Sequence, residues 1–371
     1  MRSVGHIPLA RLFLSRKRPR FLLSFPFLGK DISSVGSTSV IEVFMLEILW
    51  LSEEDVRSLL TMEDTIDAVE GAFKDQGLGL TQMPPKSYLY YKKYDGDLRT
   101  MPAYLEGEDL TGVKIVNVHP KNREIGLPTV MAVVILNSPQ TGAPLALMGG
   151  TYLTNMRTGA AGGVAAKYLA RKDSSVIGVV GAGAQARTQL LGLSNLFSIE
   201  TVKVADVKIE FCEALERDCR SFLDCEYELS TDVKEVCDCD ILVTVTPARV
   251  PLVKDEWIAK GTHINAIGAD AKGKEELEPR ILLRSKVVVD DISQASHSGE
   301  VNVPLAKGIL KPEQIYAQIG EIVAGKVPGR KDDQEVTVFD STGLAIQDVA
   351  TASRIYEKAL EGTWGTWLNY S

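Results

Sequence analysis

Ser175 to Ala186 reads Ser-Val-Ile-Gly-Val-Val-Gly-Ala-Gly-Ala-Gln-Ala, and no other stretch constrains the chain as strongly. An apolar run rich in β-branched residues (Val176, Ile177, Val179, Val180) passes directly into Gly181-Ala182-Gly183-Ala184-Gln185-Ala186. That is a strand, a tight turn and a helix start. Gly181 lets the chain turn, Gly183 removes a side chain where a pyrophosphate would approach, and the small Ala186 lets the helix pack on the strand. The first N–H groups of the helix and its positive end are then free for phosphates. A generic α/β chain becomes a candidate nucleotide enzyme.

The G-x-G-x-x-A spacing alone is common, so its context carries the weight. Leu190, Leu191 and Leu193 continue as a helical stretch, and a second short strand, Thr201 to Ala205, ends at Asp206 followed by Val207. Asp206 lies twenty residues past Ala186, where an acid accepts hydrogen bonds from an adenosine ribose. The bland alternative is an ordinary loop acid. An acid there repels a 2′-phosphate, which favours NAD over NADP, and Lys208 blunts that preference.

With 371 residues, 45% of them apolar, the chain suits two domains with a sizeable core. A net charge of −8 argues against a general nucleic-acid binder. The charge is uneven: residues 1–44 hold seven Lys/Arg and two acids, leaving −13 on the remainder. This basic segment reads either as a targeting peptide or as a translated stretch upstream of the start. Met45-Leu-Glu-Ile-Leu-Trp-Leu-Ser52 opens a clean domain and favours the second. Its apolar pieces are too short and too interrupted to span a bilayer, so no membrane partner is expected. All five cysteines fall between Cys212 and Cys239. An odd, clustered set is no disulfide framework, and Cys237-Asp-Cys239 lacks a second ligand pair for a metal. Thiols of a reducing cytoplasm fit better, and no metal is expected.

Ser52-Glu-Glu-Asp55 reads as a helix start, and a second helix begins at Thr61 or Asp64 and runs to about Phe73. Strand-like pieces follow at Ser87–Tyr91, Gly112–Val118 and Val130–Leu136, separated by turn signals with no helix between them, as in an antiparallel or mixed sheet. A helix of small residues spans Thr158–Arg171. Strands and helices then alternate through Val176–Val180, Thr201–Ala205, Tyr227–Leu229, Ile241–Val245, His263–Ile267, Lys286–Val289 and Val336–Phe339, the sign of a parallel sheet. From Gly343 an amphipathic helix returns to pack on the first domain.

Seven motifs occur in order: Met83-Pro-Pro-Lys86, Arg99 to Tyr104, Gly112 to Pro120, Gly126 to Val130 and Asn155 to Ala161 before the Gly-rich turn, then His263 to Asp270 and Phe339 to Asp348 after it. Together they resemble the ornithine cyclodeaminase/μ-crystallin family, and within it most closely the archaeal-type alanine dehydrogenases. The match covers nearly everything from Met45 to about Tyr356. The resemblance implies an α/β chain in which a Rossmann-type parallel-sheet NAD-binding domain (166–342) joins a mixed α+β substrate and dimerisation domain (45–165, completed by 343–371), with 1–44 an extension outside the match. It also implies a homodimer.

The family pattern implies a substrate carboxylate and amine held over the nicotinamide by several cations and one acid, at Lys86, Arg99, Lys114, Arg157 and Asp270. The residues agree. Lys114 lies mid-strand among Val113, Ile115 and Val116, and a lone Lys there is costly to bury unless it faces a wet side. Facing a pocket beside Lys86 and Arg99, it has its pKa lowered toward neutral, suiting proton transfer. Lys86 and Arg157 suit carboxylate binding, and Arg157 equally suits the cofactor pyrophosphate. Asp270, ending a parallel strand, either takes a second proton or holds the substrate amine. Arg157, Thr158, Gly181, Ala182, Gly183, Ala184, Gln185, Asp206, Val207, Thr246, Ile267, Gly268, Ala269 and Ser341 make up the expected cofactor site. Asn265 and Gly268 are expected in a loop near the nicotinamide. Ser341 and Thr342 either bind the carboxamide or cap the next helix. His119, at a strand end before Pro120, is a tempting acid/base but reads better as structural or as a support behind the site, since the family does not use it as the principal base; His263 reads as structural.

Cyclodeaminases carry a carboxylate where this chain has Arg99. A cation there repels the distal ammonium of ornithine and helps hold the carboxylate of a small amino acid. The expectation is NAD-dependent, reversible deamination of L-alanine to pyruvate and ammonium. Ornithine cyclodeamination, cyclic-imine reduction and a non-catalytic μ-crystallin-like protein binding NAD(P)H and a small ligand are the alternatives.

Overall fold

The computed structural model describes residues 46–370; the expectations about residues 1–44 and Met45 lie outside it. β1 (Glu47–Leu51) leads into two capped helices. Ser52 with Asp55, and Thr61 with Asp64, form capping boxes that start α1 (Glu53–Leu59) and α2 (Met62–Leu78). The second helix continues past Phe73 because its stop is Gly79, in the left-handed region at φ 78. Its last turn is polar and carries no apolar periodicity.

The first sheet follows: β2 (Thr81–Gln82), β3 (Ser87–Tyr91), β4 (Gly96–Leu105), β5 (Leu110–Val118), β6 (Val130–Asn137) and β7 (Pro144–Gly149). Consecutive strands from β4 to β7 pair antiparallel, while β1 joins β7 in parallel, so the sheet is mixed. β4 was not expected as a strand, since its charged start and Pro102 mask the buried alternation of Met101, Ala103 and Leu105.

α3 (Thr151–Leu169) connects the two sheets. It begins seven residues ahead of the expected Thr158. No side chain of its own caps it; Glu53 of α1 accepts hydrogen bonds from the N–H groups of Thr151 (2.7 Å) and Tyr152 (3.0 Å). A cap supplied from so far away in the chain leaves no local signal.

The second sheet is built of β8 (Val176–Val180), β9 (Thr201–Ala205), β10 (Glu226–Ser230), β11 (Ile241–Thr244), β12 (His263–Ala266), β13 (Lys286–Val289), β14 (Ile315–Gln318) and β15 (Thr337–Asp340). Its order is β10-β9-β8-β11-β12-β15-β13-β14, with every pairing parallel. Among its helices are α4 (Ala184–Ser194), α5 (Ile209–Cys219), α6 (Pro279–Arg284), α7 (Ile292–Ser298), α8 (Asn302–Ala306) and α9 (Ile319–Val323). Strand order reverses beside β8, so the Gly-rich turn opens at a switch point, where such sheets take ligands. The small residues of α3 let it approach α4: a Cβ on Gly159 would lie 2.1 Å from the Thr188 carbonyl.

α10 (Ala345–Glu361) then returns to lie against α2, β4, β5 and β6, and β16 (Thr366–Asn369) pairs antiparallel with β1. The 165/166 division falls inside α3. Among the described residues no helix is long and apolar enough to cross a membrane, and no group of His, Cys, Asp and Glu is arranged to hold a metal. All five cysteines are free.

Candidate active site

A cleft of about 920 Å³ opens between the two sheets, and Lys86, Arg99, Lys114, Arg157 and Asp270 all line it. The five side chains named for substrate and catalysis, from five separate segments, therefore converge.

Lys114 is 1% exposed. Alternation along β5 puts it on one face with Leu110, Gly112 and Val116, the face covered by α10, so the wet-face alternative does not hold. Its Nζ donates to Asp348 Oδ1 at 2.7 Å, and the Arg157 Nε donates to the same oxygen at 2.9 Å. Arg157 Nη1 also donates to Gln347 Oε1 at 3.0 Å. Burial lowers the Lys114 pKa to about 7; Arg157 lowers it too, while Asp348 pulls it back up. Lys86 donates from Nζ to the Thr342 carbonyl at 2.5 Å. Burial lowers its pKa to about 8 against the opposing pull of Asp290 and Asp270.

Arg99 grips Asp97 with two hydrogen bonds (Nε–Oδ1 2.9 Å, Nη2–Oδ2 3.1 Å) and reaches Asp270 Oδ2 at 3.2 Å. Its charge is thus shared between two acids. Lys274 Nζ donates to Asp270 Oδ1 at 2.5 Å. Burial would raise the Asp270 pKa, but Lys274 and Arg99 outweigh it and bring it down to about 2. Those two cations favour Asp270 as a carboxylate. It lies four residues beyond the end of β12, in a loop rather than at the strand end.

In the other half, Gly181 adopts φ 99 with a would-be Cβ 2.9 Å from Thr246 Cγ2, a position only glycine fills comfortably. A Cβ on Gly183 would meet nothing within 4 Å, and no side chain caps α4. The N–H groups of the first turn of α4 are therefore left for an anion, and these residues fit a dinucleotide pyrophosphate. Ala186 is fully buried against the strand. Asp206 Oδ2 accepts from the Ala182 N–H at 2.7 Å, so it braces the turn. Arg157, Thr158, Gln185, Thr246, Ile267, Gly268 and Ser341 line the cleft, whereas Gly181, Ala182, Gly183, Ala184, Asp206 and Val207 lie beyond it along the turn and the β9 end. Val207 is 87% exposed and Ala269 is fully buried.

Two readings are corrected. Asn265 lies in β12, not in a loop, and is buried between His263 Nε2 (2.9 Å) and the Gly162 carbonyl (3.0 Å). Ser341 and Thr342 do not cap α10, whose cap position is Leu344. Asp290 instead accepts from the Thr342 and Gly343 N–H groups at 2.6 and 2.8 Å and from the Thr342 hydroxyl. His263 bonds Thr337 and Asn265, and burial lowers its pKa to about 3, while His119 stacks on Tyr91; neither lines the cleft. The residues missed are Asp97, Lys274 and Asp348. Asp348 stood at the end of a noted motif, but only the return of α10 to β5 gives it a partner.

The sequence pattern of the ornithine cyclodeaminase/mu-crystallin family matches residues 47–363. An alanine dehydrogenase of Archaeoglobus fulgidus is 52% identical over 330 residues, covering 88% of this chain and 99% of the relative. A solved archaeal alanine dehydrogenase dimer with bound NAD superposes with a TM-score of 0.85 at 51% identity, over 88% of this chain and 100% of that one. The Δ1-pyrroline-2-carboxylate reductase of Thermococcus litoralis, in complex with NADH and L-proline, gives a TM-score of 0.83 at 42% identity, over 86% and 99%.

Proposed function

The chain belongs to the ornithine cyclodeaminase/mu-crystallin family, and from that premise we propose that it interconverts L-alanine and pyruvate: L-alanine, NAD+ and water give pyruvate, ammonium, NADH and a proton. The observation that carries this reading is Lys114, a buried amine with a pKa near 7, set in a cleft between carboxylate-binding cations and a dinucleotide turn.

Gly181 to Gln185 hold NAD by its pyrophosphate and Asp206 by its ribose, and the cofactor supplies the hydride acceptor for the substrate Cα. Lys86 and Arg157 grip the substrate carboxylate. Asp270, kept anionic by Lys274 and Arg99, orients the substrate amine. Lys114 takes the proton of the amine and passes it to solvent, then takes that of the water adding to the iminium carbon and returns it to the nitrogen, and finally takes the hydroxyl proton as the carbonyl forms and ammonia leaves. Around the cleft Lys86, Arg99, Lys114, Arg157 and Lys274 outnumber Asp97, Asp270, Asp290 and Asp348, a positive surplus that suits one carboxylate and disfavours a second ammonium. NAD is preferred over NADP because Asp206 repels a 2′-phosphate.

The reading extends to a cytoplasmic homodimer, supported by the dimeric archaeal relative, with residues 45–165 and 343–371 as the substrate and dimerisation unit and 166–342 as the NAD unit. Purified protein is expected to reduce NAD with L-alanine and to oxidise NADH with pyruvate plus ammonium. Proline formed from ornithine or from a cyclic imine without pyruvate turnover, or NADH binding with no turnover at all, sinks the choice of substrate.

A further inference from the structure

Asp348 lies in the first turn of α10, is fully buried and does not line the cleft. It cannot touch the substrate, yet one of its oxygens accepts from both Lys114 Nζ (2.7 Å) and Arg157 Nε (2.9 Å). The positive end of α10 favours its anion. Gln347, its neighbour on the helix, fixes the far side of the Arg157 guanidinium at 3.0 Å. The charged groups facing Lys114 are Asp348 from α10, Arg157 from α3 and Lys86 from the segment ahead of β3. Arg99 of β4, Asp270 of the loop after β12 and Asp290 after β13 act on Lys86. Asp348 is thus the anion in that inner ring, and without it the amine of Lys114 faces two cations.

We propose that Asp348 is a positioning residue: it fixes the amine of Lys114 against the guanidinium of Arg157 and keeps that amine basic enough to accept a proton. The assignment rests on the roles given above to Lys114 and Arg157. It predicts a signature that a packing role lacks. Asp348→Asn keeps the shape and an acceptor oxygen but removes the charge. The Lys114 amine then loses its proton more readily, so the acid limb of kcat/KM for amino-acid oxidation moves to lower pH.

The test compares pH profiles of the parent, Asp348→Asn and Asp348→Glu, with NADH binding by fluorescence as the check on folding. For Asp348→Asn the limb is expected to move down by about one pH unit or more, a tenfold change in the amine's proton equilibrium, with NADH affinity retained. A limb at the parental pH overturns the proposal. For Asp348→Glu, which keeps the charge and displaces the oxygen, the limb stays in place and kcat falls about tenfold. If Asp348→Asn does not fold, parental kcat in Asp348→Glu overturns the proposal instead. Should L-alanine fail as substrate, the profiles are taken with whichever amino acid or imine the parent turns over, so an error about the substrate is distinguishable from an error about Asp348.

Discussion

The two sides of the cleft are made in opposite ways. On the cofactor side, consecutive residues after β8 present backbone N–H groups, and the side chains matter mostly by being absent: Gly181 for its φ, Gly183 for open space, Ala186 for close packing. On the substrate side nearly everything is side chain and charge. Lys86, Arg99, Lys114, Arg157, Asp270 and Asp348 come from six separate segments and are useful only as a set. A backbone site tolerates much provided nothing is added to it. A network of buried charges tolerates little, because each member left without its partner is exposed to the full cost of desolvation.

That contrast can be broken by single substitutions. The largest effect is expected on the substrate side: Lys114→Ala removes the proton carrier, and kcat for alanine oxidation falls about 10³-fold, while NADH affinity, read by fluorescence, stays within roughly twofold. Loss of NADH binding in that variant would mean that the two sides are not separable. The pH dependence comes next. Oxidation needs Lys114 unprotonated and Lys86 protonated, so the rate rises through about pH 7 and falls again through about pH 8, changing about tenfold per unit outside that window. Pyruvate reduction needs Lys114 protonated, so its rate already declines through about pH 7. A flat profile from pH 6 to 9 in initial-rate assays would remove both lysines from the chemistry. The smallest effect belongs to the cofactor side. Gly183→Ala adds a methyl group that meets no protein atom, so thermal stability is unchanged, whereas KM for NAD rises about tenfold at unaltered kcat. A change in kcat with KM intact would show that the turn does more than bind.

The same contrast explains what could be read from the chain. The cofactor turn was legible because its logic is local: strand, glycines and the acid at Asp206 lie within one short stretch. Lys114 was legible as an anomaly, a lone cation in an apolar run. Its partner was not, since Asp348 reads as an ordinary first-turn acid until α10 is laid across β5. Asp97 and Lys274 were missed although each lies within four residues of its partner, Arg99 or Asp270: each looks like a surface charge until β4 meets the loop after β12 and the two pairs join into one network. The start of α3 failed because its deciding contact, Glu53, is remote, whereas the starts of α1 and α2 held on the adjacent caps Ser52 and Thr61.

The pairing of β1 with β16 has a consequence in time. Glu47 lies opposite Asn369, so the first sheet to be synthesised has an edge that stays open until Thr366–Asn369 appear. At about 5–20 residues per second, the roughly 320 residues between them take some 16–64 s to make. β8 to β15 need nothing beyond Asp340 to complete their ladder. The half encoded second is ready to close first, and the half encoded first waits on the ribosome, bound to long-range contacts that are slow to form.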